Sequence, residues 1–312
     1  MKKIDVIIPT YRPGSSLEEL LRRLEQQSCP PDHIIIMNTE KKYWNPGLEE
    51  KFSRMQVHHL TKDVFDHGGT RDAGARLSRA DVLVFMTQDA MPANNLLLEK
   101  LSEALEQKGV AVAYARQLPQ KDCRLIEQYT RDFNYPRQSR VKFLEDLPKL
   151  GIKTYFCSNV CAAYNREIYE KSGGFVKHTI FNEDMIYAAG VVKAGYGVAY
   201  EAEAQVIHSH NYTGCQQLHR NFDLGVSQAQ HPEIFRGVPA EGEGMRLIKK
   251  TIRFLLRQRR PHLILLLIWQ SSCKYLGYLL GKNYRKLPNS WILRLTDNRQ
   301  YWEKDERYLQ DV

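Results

Sequence analysis

Asp89 is the third residue of Thr87-Gln88-Asp89-Ala90, which follows the uninterrupted apolar run Val82-Leu83-Val84-Phe85-Met86. The run reads as a fully buried strand. A carboxylate at the C-terminal tip of such a strand stands where open α/β sheets bind their ligands. It can take a hard cation there and, through it, a phosphate-bearing substrate; a surface-loop aspartate is the plainer alternative. Asn182-Glu183-Asp184 begins a helix-forming segment. Its carboxylates can cap backbone donors at the positive end of the dipole, or one of them can take a proton. His208-Ser209-His210 ends a predicted strand, in which residues i and i+2 share a face. Each imidazole can be a core histidine bonded to backbone, or a metal or phosphate contact.

Two further turns carry chemistry. Pro9-Thr10-Tyr11-Arg12 closes the first strand, so Tyr11 can stack on a base while backbone groups meet a nucleotide; a simple strand-ending turn is the alternative. His67-Gly68-Gly69-Thr70 precedes Arg71. Glycines there let backbone approach a ligand closely, and the guanidinium can meet a phosphate. The alternative is a helix-start turn with a solvated arginine.

The elements that must position these residues alternate. Strands are expected at Ile4 to Ile8, Ile34 to Met37, Val57 to Leu60, Val82 to Met86 and Val110 to Ala115, with helices at Leu17 to Gln27, after Gly69, and at Leu96 to Lys108. That alternation predicts an α/β fold, a mostly parallel sheet flanked by helices. Residues from Lys121 to Lys149 show no clean period. Beyond them the pattern predicts a strand at Phe156 to Tyr164, helices at Arg166 to Lys171, Glu183 to Ala194 and His219 to Ala229, and a strand at Ala204 to His210.

The 312 residues can bury a large core, and 43% hydrophobic with 26% charged residues is ordinary globular composition. Met1-Lys2-Lys3-Ile4 runs straight into a strand, which leaves no room for a signal peptide and predicts a chain on the cytoplasmic side. The six cysteines have no zinc-finger spacing and read as reduced thiols. The net charge of +9 is concentrated: Arg246 to Lys286 holds eleven Lys or Arg and no acidic residue, while the rest is slightly acidic. On a helical wheel Arg246, Lys249, Lys250, Arg253 and Arg257 fall on one arc of that segment, and Leu247, Ile248, Ile252, Phe254, Leu255 and Leu256 on the other. The apolar run Leu263 to Trp269 that follows is far short of the roughly 20 residues a spanning helix needs. The pair is expected to lie in an anionic membrane interface; a core-packing helical hairpin is the alternative. Nucleic acid is not the expected partner, since no binding motif accompanies the charge.

In order, Ile7-Ile8-Pro9-Thr10-Tyr11, Gly69-Thr70-Arg71-Asp72-Ala73-Gly74, the strand to Asp89, Gly173-Gly174-Phe175, Asn182-Glu183-Asp184 and His208-Ser209-His210-Asn211-Tyr212 resemble the inverting family-two glycosyltransferases of the GT-A fold, specifically their bacterial rhamnosyltransferase branch. The resemblance covers about residues 3 to 230 and implies a GT-A domain over 1–235, with a basic helical extension over 236–312. It implies transfer of a sugar from a nucleotide diphosphate onto a hydroxyl, with Mg²⁺ or Mn²⁺ on the diphosphate. In the family's Asp-x-Asp motif the second carboxylate binds the metal; here Thr87 replaces the first and Asp89 keeps the second. The resemblance makes His208 the distant metal ligand and Asp184 the base, with Glu183 positioning the acceptor or supporting Asp184. Pro9, Thr10, Tyr11, Arg12, Asn38, Gly69, Arg71, Thr87, Gln88 and Asp89 are the expected nucleotide-sugar contacts. Asn159, Asn182 and His210 are expected on the acceptor or a phosphate. The resemblance at the Thr-Gln-Asp-Ala and His-Ser-His-Asn-Tyr segments implies dTDP-β-L-rhamnose as donor; the expected acceptor is a lipid-linked glycan, at the cytoplasmic membrane face. The alternatives are another nucleotide sugar or, in a different class, a nucleic-acid-binding protein using the basic segment.

Overall fold

The computed structural model describes residues 2–238 and 241–303; the end of the expected extension, 304–312, lies outside the described residues. Contacts divide the chain into two compact units. The first comprises residues 1–121, 134–177 and 183–209, and the second 122–133, 178–182 and everything from 210 on. The described residues beyond 236 therefore fall in a larger unit that also takes in 122–133, 178–182 and 210–235.

The first unit holds one nine-stranded sheet. Its strands are β1 (Ile4–Tyr11), β2 (His33–Thr39), β3 (Met55–Leu60), β4 (Val82–Met86), β5 (Met91–Pro92), β6 (Val110–Leu118), β7 (Arg140–Lys142), β8 (Cys161–Asn165) and β9 (Gly197–Ile207). The order is β3-β2-β1-β4-β8-β6-β9-β5, with β7 also on β9. From β3 to β4 every pairing is parallel, so β1, β2 and β4 end on the same edge of the sheet. Beyond β4 the sheet is mixed: β8 runs antiparallel between β4 and β6, and β9 returns parallel to β6. The strand runs are apolar without alternation because helices cover both faces. The Ser16–Glu25 helix buries Leu17, Leu20, Leu21 and Leu24 against a core that includes Ile4, Val6, Ile8, Ile34, Val82 and Val84. Each fully buried side chain of this kind contributes about 1.5–3 kcal/mol.

Several expected boundaries move. The strand expected over Phe156 to Tyr164 begins only at Cys161, because the chain turns at Asn159–Val160, where the Cys161 N–H bonds the Ser158 carbonyl at 3.2 Å. Within the irregular 121–149 stretch a helix forms at Leu125–Asn134. β9 is longer than expected at its start and closes at Ile207, so His208 and His210 lie past the strand. The alternation argument for their common face does not apply.

In the second unit, the Gly214–Gln230 and Leu263–Lys282 helices pack face to face. Glycine allows this approach: a Cβ on Gly277 would stand 2.1 Å from the Leu218 carbonyl oxygen, and one on Gly281 2.1 Å from that of Phe222. The second helix spans 20 residues and is apolar enough by length and composition to cross a membrane. The expectation that the apolar stretch is too short was drawn from Leu263 to Trp269 alone; Gln270, Ser271 and Ser272 end the run but not the helix.

Candidate active site

Asp89 and His208 meet because of a strand pairing. β5 follows Asp89 directly and pairs antiparallel with the end of β9, Met91 opposite Ile207, which sets the turn before β5 beside the residue after β9. The Asp89 Oδ2 lies 3.5 Å from Nε2 of His208, whose side chain is buried while Asp89 is 43% exposed. The other ring nitrogen, Nδ1, is 3.1 Å from Oε1 of Gln117. An amide oxygen can only accept, so this contact puts a proton on Nδ1 and makes Nε2 the nitrogen turned toward Asp89. One carboxylate oxygen and one neutral imidazole form a donor set that fits Mg²⁺ or Mn²⁺, the imidazole suiting Mn²⁺ better. Gln117 in turn donates to Ser158 Oγ at 3.0 Å, tying this site to the turn that holds the second acidic group. Thr87, in the family's other carboxylate position, keeps a buried hydroxyl with no partner among the described residues.

Gln88 is committed to structure. Its Oε1 accepts from the Tyr11 N–H at 3.0 Å and its Nε2 donates to the Tyr11 carbonyl at 3.1 Å. The amide thus fixes the tip of β1, beside the expected nucleotide contacts. At that tip Arg12 takes a left-handed backbone (φ 47°). Its guanidinium lies 4.6 Å from the Tyr43 ring centroid and 5.2 Å from that of Tyr11, and donates to the Tyr43 hydroxyl at 2.8 Å. Tyr11, Arg12 and Tyr43 form an exposed platform on which a planar base can stack. Beneath it Thr10 donates to Asn38, which bonds the His59 ring at 2.9 Å. Pro9 pairs with Met37 inside the sheet, so it shapes the tip and offers no donor.

The glycine turn also differs from its expected use. Asp66 caps the His67–Leu77 helix by accepting from Gly69 N. A Cβ on Gly68 would come within 2.0 Å of the Val176 carbonyl oxygen, so the close approach is to the chain itself. Arg71 is buried: it donates to the His67 carbonyl at 2.9 Å and pairs with Glu183 Oε1 at 3.2 Å. The ion pair leaves its Nε buried without a partner among the described residues.

Glu183 and Asp184 open the Glu183–Lys193 helix with different surroundings. Burial would raise Glu183, but Arg71, with His67 and Asn159, holds it below its ordinary value. Asp184 is pushed up to about 7 by burial and by the Glu183 charge, against hydrogen bonds from the Asn159 and Met185 N–H groups. Those bonds measure 2.9 and 2.7 Å. Neighbouring carboxylates driven apart in this way are the signature of an acid–base pair with distinct roles. Asn159 spends its side chain on Glu183 (3.3 Å) and on the Tyr164 hydroxyl (2.7 Å). It organises the carboxylates.

Asn182 and His210 belong to the second unit. Asn182 holds a left-handed turn (φ 67°) immediately before the helix, and its amide donates to Ser227 at 3.2 Å. Tyr43, His59 and Gln117 escaped the sequence reading. Tyr43 stands near the tip of β2, and an aromatic beside a strand end was the one available signal.

The pattern of Glycosyl transferase family 2 matches residues 5–173. Over 302 residues the chain is 41% identical to the O-antigen chain rhamnosyltransferase RfbN of Salmonella typhimurium, covering 96% of each. It is 38% identical over 305 residues to the O-antigen chain rhamnosyltransferase WbaN of Salmonella anatum, covering 97% of this chain and 96% of that one. Among solved structures, the mannosyltransferase PcManGT of Pyrobaculum calidifontis, in complex with GDP-Man and Mn²⁺, superposes with a TM-score of 0.58 at 15% identity, over 99% of this chain and 85% of that one. TarS of S. aureus gives 0.54 at 15% identity, over 91% of both. At such identity these two likenesses speak for the fold alone.

Proposed function

Because the chain belongs to glycosyltransferase family 2, an inverting family, we propose that it moves L-rhamnose from dTDP-β-L-rhamnose onto a hydroxyl of a lipid-linked cell-surface glycan, giving an α-L-linkage at the cytoplasmic membrane face. The observation that carries the sugar and the glycan is identity of 38–41% with two O-antigen chain rhamnosyltransferases across nearly the whole chain.

The residues divide the work. Tyr11, Arg12 and Tyr43 take the base, and Thr10 and Asn38 shape the strand tips below it. Asp89 and His208 would hold a divalent cation, as Mn²⁺ accompanies the nucleotide sugar in the archaeal mannosyltransferase. Such a cation, when bound, offsets the charge that builds on the departing diphosphate. Asp184 accepts the proton of the acceptor hydroxyl as its oxygen bonds to the anomeric carbon and the nucleotide diphosphate leaves from the opposite face. Glu183, kept ionised by Arg71, holds Asp184 basic enough for that transfer.

The test is a panel of nucleotide sugars assayed for metal-dependent nucleotide release and for sugar incorporation. dTDP-rhamnose should support transfer and Asp89→Ala should abolish it, together with the metal-dependent part of nucleotide affinity; His208→Ala should lower both less. Transfer from a different donor would replace the sugar assignment. An Asp89→Ala protein fully active after chelation would remove the metal site.

A further inference from the structure

A small recess opens on the surface of the second unit. It is lined by Arg124 and Glu127 on one side, Gln217 on another, and Leu266, Gln270 and Lys274 from successive turns of the Leu263–Lys282 helix. Its charge is unbalanced. Glu127 is engaged by Arg131, Nε to Oε1 at 2.8 Å, whereas Lys274 and the Arg124 guanidinium have no hydrogen bond or ion pair among the described residues. Gln217 is only 8% exposed, yet its side-chain amide has no protein partner among the described residues and lines the open space. Cations and an amide that face open space without a protein partner can take a polar ligand there. Burial holds the Lys274 ammonium below its ordinary value despite the pull of Glu127, as expected for a cation short of a counter-ion.

The surface beside these residues is apolar. On the same helix Leu265, Ile268, Trp269, Tyr275, Leu276 and Leu279 are exposed. Their spacing of three, one, six, one and three residues keeps them on one stripe, next to the Leu266-Gln270-Lys274 line.

We propose that this recess binds the phosphate or diphosphate ester of an amphiphilic acceptor, with Lys274, Arg124 and Gln217 on its oxygens and its hydrocarbon chain along the exposed stripe. The inference rests on the reading of the acceptor as a lipid-linked glycan and names the part of it that is held. Cations with a side-chain amide match phosphate oxygens, and the adjoining stripe favours an ester with a chain over the free ion.

Calorimetry on the full-length protein, with dodecyl phosphate below its micelle concentration, inorganic phosphate and dodecyl maltoside as probes, tests it. Dodecyl phosphate should bind more tightly than inorganic phosphate, and the maltoside should not displace it. Lys274→Met, which keeps the aliphatic stem, and Gln217→Leu should each weaken dodecyl phosphate about tenfold while leaving dTDP affinity unchanged. Arg124→Gln, at an exposed position, repeats the test where folding is not at stake. Unchanged dodecyl phosphate binding in all three variants, or its displacement by dTDP, would overturn the site. Equal affinity for inorganic phosphate would overturn the lipid assignment. Failure of every nucleotide sugar to support transfer would overturn the donor reading without altering these binding results.

Discussion

At the scale of single residues, turnover hangs on the unequal carboxylates of Glu183 and Asp184. Asp184 works only when deprotonated, and burial with the Glu183 charge pushes it up to about 7. The rate should therefore fall as pH drops through about 7, and level off above it. Asp184→Asn keeps an acceptor for the Asn159 N–H but cannot take a proton. Turnover should drop by roughly 10²–10⁴-fold with dTDP affinity intact. Glu183→Gln removes the like charge that raises Asp184, so the acid limb should move to lower pH in the surviving folded fraction. That variant also strands Arg71, and loss of one partner from a buried pair costs about 3–5 kcal/mol, so its rates must be counted per folded molecule. A pH profile identical in wild type and Glu183→Gln would refute the coupling. Asp89, Asp184 and His208 could be singled out in the sequence because each stands just past a strand or at the start of a helix, where open α/β sheets place their ligand contacts. The internal partners of Arg71, Gln88 and Asn159, namely Glu183, Tyr11 and Tyr164, were not legible, because they are set by tertiary packing and residue type alone cannot tell a phosphate contact from an internal one.

Between residue and molecule, short pairings decide the geometry. Two residues of β5 on the end of β9 bring Asp89 to His208, and no hydrophobic pattern announces a strand that short. The parallel core was readable because its strands are continuous apolar runs. The Leu263–Lys282 helix was not, since half its length presents serine, glycine and lysine. Its glycines serve the contact with the Gly214–Gln230 helix, where backbone meets backbone. Gly277→Ala should force the helices apart, because the added carbon would sit 2.1 Å from the Leu218 carbonyl oxygen; overpacking of this kind costs about 1–3 kcal/mol. Gly190→Ala is the matched control. It lies on the exposed side of the Glu183–Lys193 helix with nothing within 4 Å of the new carbon, and should stabilise by about 0.5–1 kcal/mol. Calorimetric melting of the two variants should move in opposite directions. Equal shifts would mean that the helix pair is not tightly packed.

For the whole molecule, the membrane placement proposed above draws on the charge between Arg246 and Lys286, and the fold decides which surface would meet the lipid. The apolar side of the Glu241–Arg257 helix is turned inward: Leu255 is fully buried with Ile126 and Leu267. That leaves Lys249, Lys250, Arg253 and Arg257 exposed as the charge. The apolar contribution passes to the next helix, where Leu265 is 76% and Trp269 59% exposed. Only 17% of that helix's apolar window is buried, far less than in a core helix. Lipid binding should then have two separable parts. Each basic residue near an anionic surface is worth about 1 kcal/mol, and that part is screened by salt; insertion of the Leu265–Trp269 stripe is not. Changing Lys249, Lys250, Arg253 and Arg257 to Gln should release the protein from anionic vesicles in sedimentation, yet leave transfer to a short soluble acceptor nearly unchanged, because Asp89, Asp184 and His208 all lie in the first unit. Trp269→Ser should do the reverse in salt titration, leaving low-salt binding largely intact while removing the part that survives high salt. If the quadruple variant loses soluble-acceptor activity as completely as vesicle binding, the basic face serves the fold and not a membrane.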